Sequence, residues 1–273
     1  HGHHRRQRQM CIRDSGRASN EAAFLWGVLA RQIGTNNLPD CSNMCHESSG
    51  VALSRSIGIG KGTVKLSCFE EADLILVIGQ NPGTNHPRML TALAACKENG
   101  GSVVSINPLE ETAMKRFKHP QNPLHLIGRG VQIADEHLPV RIGGDAALLQ
   151  GFAKTMLSQG GTDPDFISKN TLGFEDWKRH IESTDWETIV EQSGISRDRI
   201  EKTGTAIAKS ERMIVCWAMG LTQHENSVAV IQEVSNLLLA GGHFGKPGAG
   251  ACPVRGHSNV CLLYTSDAAD DDV

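Results

Sequence analysis

Leu74-Ile-Leu-Val-Ile78, broken by Gly79-Gln-Asn-Pro-Gly-Thr-Asn85 and resumed at Ser102-Val-Val-Ser-Ile106, is the stretch that decides the fold. The first run is apolar without alternation, as expected of a parallel strand covered on both faces. A helical pattern follows from about Pro87 to Glu98. Gly100 and Gly101 stop it, and the second apolar run ends at Asn107-Pro108. Strand, loop, helix, strand is one right-handed βαβ unit. Working outward, the pattern recurs. Gly143-Gly-Asp145 opens a helix through about Leu157, and Thr184-Asp185 and Ser196 can cap two more. Met213-Ile-Val-Cys-Trp217 reads as another buried strand, and Asn226 to Ala240 as a helix stopped by Gly241-Gly242. Upstream, Asn20 can cap a helix to about Gln32, with Phe24, Leu25, Val28 and Leu29 on one face.

Strands alternating with helices predict an α/β fold: a mostly parallel, Rossmann-like sheet flanked by helices. Its ligand belongs where the carboxyl ends of the strands release their loops. At 273 residues the chain can bury one substantial core or two modest ones. Residues 1–15 and 261–273 carry no apolar period and read as non-native or disordered ends; 16–40 read as the edge of a neighbouring domain, and 41–260 as the α/β domain. The net charge of −3 gives no reason to expect nucleic acid or a membrane surface, and one Tyr with four Trp is too few for a base-stacking platform. No apolar run approaches the length of a membrane span. The eight cysteines lack the spacing of a secreted disulfide framework, so a reducing, cytoplasmic location is expected.

Three strand-end loops, 79–85, 107–108 and 219–223, are rich in Gly, Asn and Gln. They offer backbone N–H groups and amides to a phosphate or a purine edge, which suits a dinucleotide-like ligand. No strand-linked G-x-G-x-x-G is present, so an ordinary NAD site is not supported. Gly58-Ile-Gly-Lys-Gly-Thr63 lacks the glycine spacing of a P-loop and a hydroxyl directly after the lysine. Cys41-x-x-x-Cys45-His46 is the reactive-looking cluster. It has no second ligand pair of the kind a structural zinc site supplies. Adjacent Cys and His side chains diverge, against a nucleophile-base pair. A thiolate suits a soft or high-valent metal with the next residue as proton carrier. From spacing alone, a loop cysteine without a role remains the commoner outcome.

Longer stretches narrow this. Gly34-Thr-Asn-Asn37 with Cys41-Ser-Asn-Met-Cys-His46 resembles the molybdenum-ligand segment of formate dehydrogenases, in which a cysteine or selenocysteine precedes histidine. Ile78-Gly-Gln-Asn-Pro-Gly-Thr-Asn-His-Pro87 is similar to that family's first cofactor-cradling loop. Trp217-Ala-Met-Gly-Leu-Thr-Gln-His224 resembles its G-M-G-x-T-Q loop, and Gly245-Lys-Pro-Gly-Ala-Gly250 with Pro253-Val-Arg-Gly-His-Ser-Asn-Val260 its G-K-P-x-x-G and P-x-R-G-x-x-N-V segment. The motifs fall in the family's order over about residues 16–260.

The resemblance implies an internal segment of a formate-dehydrogenase-like molybdopterin oxidoreductase alpha subunit carrying bis(molybdopterin guanine dinucleotide) molybdenum, with 41–260 as the domain that binds it. It implies Cys45 as metal ligand, His46 as proton carrier and Arg255 as the group orienting a small, anionic substrate. Gly79, Asn81, Asn85, Asn107, Asp145, Met219, Gly220 and Gln223 would contact the pterin or guanine nucleotide; for Asp145 a plain helix cap is the rival. Lys246 would meet a phosphate or stand as a solvated loop lysine, and Cys41 is structural. Complete members add a [4Fe-4S] segment and a pterin-binding domain, neither of which is in this chain, and an electron-transfer partner. A fragment cradling its cofactor on one side is expected to be inactive alone. Glu47 stands where formate dehydrogenases commonly have glycine, altering the charge beside the metal, so formate does not carry over as substrate. A non-catalytic scaffold relative and a plain nucleotide-binding module are the alternatives, and Cys45, His46 and Arg255 together argue against the first.

Overall fold

The computed structural model describes residues 20–36, 45–121, 128 and 130–255. The chain divides into two compact units, residues 1–48 with 255–273, and Ser49–Val254. The larger unit is built on a sheet of five parallel strands in the order β3-β2-β1-β4-β5. These are β1 (Leu74–Ile78), β2 (Ser102–Ile106), β3 (Glu136–Leu138), β4 (Met213–Trp217) and β5 (Gly250–Pro253). The central strand β1 pairs with β2 from Leu74↔Ser102 to Ile78↔Ile106, and with β4 from Leu74↔Met213 to Ile78↔Trp217. All five residues of β1 and of β4 are buried, which is why both sequences are apolar without alternation.

The two faces of the sheet carry separate cores. Leu74, Leu76, Ile78, Val215 and Trp217 face one layer, with Leu148, Phe152, Ile200, Ile231 and Val234 packed on it. Ile75, Val77, Val103, Ile214 and Cys216 face the other, with Phe69, Leu90, Leu93, Cys96 and Met114. Each large side chain so buried contributes about 1.5–3 kcal/mol against its exposed state. The helices follow chain order: α1 (Asn20–Ile33), α2 (Glu47–Ile57), α3 (Cys68–Glu71), α4 (Pro82–Asn85), α5 (Met89–Glu98), α6 (Thr112–Lys115), α7 (Asp145–Ser158), α8 (Pro164–Asn170), α9 (Phe174–Ser183), α10 (Trp186–Ser193), α11 (Arg197–Lys209), α12 (Met219–Thr222) and α13 (Ser227–Ala240). Among the described residues no helix is long and apolar enough to cross a membrane.

The expected βαβ unit is present, with its helix beginning at Met89 and a short turn of helix, α4, inside the preceding loop. Asp185 caps α10 as expected, accepting from the N–H groups of Glu187 and Thr188. Ser196 occupies the capping position of α11, but its side chain makes no cap bond. The apolar face of α1 is a difference from expectation: Phe24 is 67% and Leu25 65% exposed, so the described residues leave it largely uncovered. Two strands had no legible signal. β3 is three residues long with a Glu and a His, and β5 contains a glycine and a proline, as an edge strand tolerates. A clamp fixes β3: Arg199 Nε donates to Glu136 Oε1 at 3.1 Å, and Lys202 Nζ reaches Glu136 Oε2 at 2.7 Å.

Candidate functional site

Within the larger unit, the site is set by strand order. Moving from β1, the chain builds outward to β2 and β3 on one side and later to β4 and β5 on the other. The loops leaving β1 and β4 therefore diverge from neighbouring strands, and such a reversal point opens a crevice at the carboxyl edge of the sheet. Here the two loops meet through bare backbone. Gly220 N–H donates to Gly79 C=O at 3.0 Å, and Ala218 N–H to Ile78 C=O at 3.3 Å. A Cβ on Gly79 would lie 2.6 Å from Gly220 Cα, and one on Gly220 would lie 2.4 Å from Gly79 Cα. Gly79 also holds φ +58, which favours glycine. The contact leaves room for no side chain on either glycine.

The residues expected at the cofactor play different local parts. Asn81 caps α4, its side chain accepting from Thr84 N–H at 3.0 Å, so it shapes the loop. Asn85, at the end of α4, is exposed. Gly83 packs α4 against α6, where a Cβ would lie 2.3 Å from Ala113 Cβ. Asn107 closes the end of β2, its N–H donating to Leu138 C=O at 3.2 Å and its amide to Glu111 at 3.4 Å. Met219 is partly exposed on α12 and accepts through sulfur from Gln223 Nε2 at 3.4 Å; Gln223 itself is exposed.

Asp145 is the informative carboxylate. The capping position of α7 belongs to Gly144, and Asp145 is the first residue of the helix, so the cap reading does not hold. It is buried, and burial pushes its carboxyl above the ordinary value while the nearby His224 pulls it back. A desolvated carboxylate at a helix start, stabilised by the helix dipole, is poised to accept from a ligand's N–H groups. His224 was not singled out by sequence.

Gln80 was missed as well. It is 2% exposed, its Nε2 lies 3.2 Å from His86 Nδ1 and donates to Met89 Sδ at 3.1 Å, and its Oε1 has no hydrogen-bond partner among the described residues. A buried amide with one atom unpaired is costly unless a ligand completes it. Its position inside the loop 79–85 was the available signal.

In the smaller unit, Cys45 and His46 are both buried and directly precede α2, a helix that sequence reading did not identify. Cys41 and Asn37 lie outside the described residues. Arg255 is half-buried; it follows Val254, whose N–H donates to Trp217 C=O at 2.8 Å. Among the described residues no three His, Cys, Asp or Glu side chains cluster to hold a metal ion.

The strand order defines a doubly wound, all-parallel α/β domain. The family profile described as Molybdopterin oxidoreductase matches residues 6–270, and the chain belongs to that family. It is 50% identical over 252 residues to an uncharacterized oxidoreductase of Mycobacterium bovis, covering 90% of this chain and 32% of that protein. It is 48% identical over 257 residues to protein YdeP of Escherichia coli (90% and 34%) and 29% identical over 243 residues to formate dehydrogenase H of Escherichia coli (88% and 32%). The chain thus spans about a third of the length of these curated relatives. Acetylene hydratase from Pelobacter acetylenicus superposes with a TM-score of 0.64 at 22% identity, covering 82% of this chain and 28% of that one, a likeness of fold.

Proposed function

We propose that this chain is the central cofactor-binding and catalytic domain of a molybdenum-dependent oxidoreductase whose cofactor is bis(molybdopterin guanine dinucleotide). The observation that carries the reading is the bare-backbone contact of Gly79 with Gly220 at the strand-order reversal, a close approach of the two strand-end loops that a side chain on either glycine would break. The residues present suit such a group. Backbone N–H groups of the two loops suit its phosphates, the buried Asp145 carboxylate suits the N–H edge of guanine, and the unpaired oxygen of Gln80 suits a further donor. Asn85, Asn107, Met219 and Gln223 rim the loops, with Asn81 holding their shape. When bound, the group would supply the two-electron redox chemistry of the site.

The chain's own residues do the rest. Cys45 would offer its buried sulfur as a metal ligand, and the adjacent, buried His46 would take or return the proton that accompanies two-electron transfer. Arg255 presents a forked guanidinium to a small anionic substrate. The domain boundaries 41–260, an iron–sulfur segment elsewhere in the polypeptide, an electron-transfer partner and a cytoplasmic location belong to the same proposal. Metal and nucleotide analysis of the full-length protein, purified without oxygen, tests it. Molybdenum and a released guanine nucleotide are expected, with metal and turnover lost in Cys45→Ser. A protein without molybdenum, whose Cys45→Ser form keeps its cofactor content and turnover, would end the proposal.

A further inference from the structure

Two cysteines outside this machinery stand side by side. Cys216 in β4 and Cys252 in β5 are register partners in adjacent parallel strands, and both are free thiols. They belong to the same face of the sheet, Cys216 inside the core there and Cys252 packed against it at the edge strand. Adjacent strands place register partners about 4.8 Å apart at Cα, inside the roughly 4.4–6.8 Å that a disulfide spans. Side chains of a registered pair leave the sheet in the same direction, so the Cβ vectors do not diverge. We infer that Cys216 and Cys252 form a reversible cross-strand dithiol–disulfide site on the edge of the sheet.

The two thiols are chemically unequal in the sense the reaction needs. The neighbouring Cys216 thiol holds the Cys252 thiol below its ordinary value, while burial pushes Cys216 well up. Cys252, half-buried on the edge strand, is the attacking sulfur. Its thiolate displaces one thiolate from a low-molecular-weight disulfide and forms a mixed disulfide. Cys216 then gives up its proton, attacks the Cys252 sulfur and releases the second thiolate, which takes the proton. The pair loses both thiol hydrogens and two electrons, and the small disulfide is reduced to two thiols. Registered parallel strands hold Cβ atoms near or beyond the roughly 3.5–4.5 Å favoured in disulfides, so the bond is strained and easily reduced.

The position gives the site a consequence. β4 ends at Trp217, one residue after Cys216, and the chain continues into Met219 and Gly220; β5 ends at Pro253, one residue after Cys252, and the next residue, Val254, donates its N–H to Trp217 C=O. Closing the pair ties the edge strand to the strand that carries the Gly220 loop.

The folded chain, titrated with mixtures of reduced and oxidised glutathione, trapped by alkylation and mapped by peptide mass spectrometry, tests this directly. The expected result is a linked peptide pairing Cys216 with Cys252, loss of alkylation at both, and full recovery with dithiothreitol. Cys252→Ser should abolish the link, whereas Cys68→Ala and Cys96→Ala should keep it. Three outcomes on the unsubstituted chain overturn the inference: Cys252 stopping as a glutathione mixed disulfide, linkage of either cysteine to Cys68 or Cys96, or both thiols remaining alkylatable in fully oxidised glutathione. None of these readings depends on molybdenum, so they stand apart from the cofactor proposal.

Discussion

Gly79 and Gly220 show how a contact between two loops can rest on atoms that are missing. Their contact needs both residues to lack a Cβ, and Gly220 N–H donates across it. Gly220→Ala would set a methyl 2.4 Å from Gly79 Cα, so the loops must part; a loss of roughly 1–3 kcal/mol in urea denaturation is expected, together with reduced cofactor content. Asp145 is where the cofactor proposal and stability should part. Its carboxylate is buried and destabilised by that burial, so Asp145→Asn should leave the melting temperature unchanged or higher. The same variant should weaken binding of guanosine diphosphate about tenfold or more by calorimetry, about 1.4 kcal/mol. Unchanged affinity would remove Asp145 from the site. Asp145 was legible in sequence as a residue at a helix start, but its burial and its neighbour His224 were not, because both depend on which loop folds over α7.

Among the elements, legibility followed burial. β1, β2 and β4 are covered on both faces and announce themselves as apolar runs. β3 and β5 lie at the edges, where one side is open, and their sequences carry charge, glycine or proline instead. α2 was missed because Ser48, Ser49 and Gly50 are weak helix formers; tertiary contacts hold it, with Leu53 in the core and Ser49 Oγ accepting from Trp217 Nε1 at 2.9 Å. The end of α9 is fixed from another helix: Lys154 on α7 donates to the carbonyls of Glu182 and Thr184 at 2.7 Å and of Ile181 at 3.4 Å. Lys154→Met keeps the stem and removes the ammonium, leaving those carbonyls without it. A loss of about 1–2 kcal/mol in denaturant titration is expected.

For the whole molecule, the acid limb of stability should carry the mark of His243. Its ring is buried, with Met213 N–H 3.4 Å from Nδ1, and burial chiefly brings its pKa down from 6.5 to about 4. The unfolded chain takes up that proton near pH 6.5 and the native chain only near 4, so the unfolded state binds more protons in between. The contribution is fully present above pH 6.5 and is lost as pH falls towards 4, roughly 3 kcal/mol in all. Unfolding free energies measured across that window should show the slope, and His243→Gln should flatten it. This residue lies beside the start of β4, whereas the Gly220 loop leaves its end, so the flattening should occur without change in nucleotide affinity.

The sequence by itself determined the α/β class, the three buried strands, the helices α1, α5, α7 and α13, the starts of α10 and α11, and the motifs that match the molybdopterin oxidoreductase family. These are local or periodic properties, written in neighbouring residues. Tertiary structure decided the strand order, the contact of Gly79 with Gly220, the unpaired oxygen of Gln80, the setting of Asp145 and the pairing of Cys216 with Cys252. Each of these joins residues distant in the chain or depends on which groups are removed from water, and neither proximity nor burial has a period that a linear sequence can display.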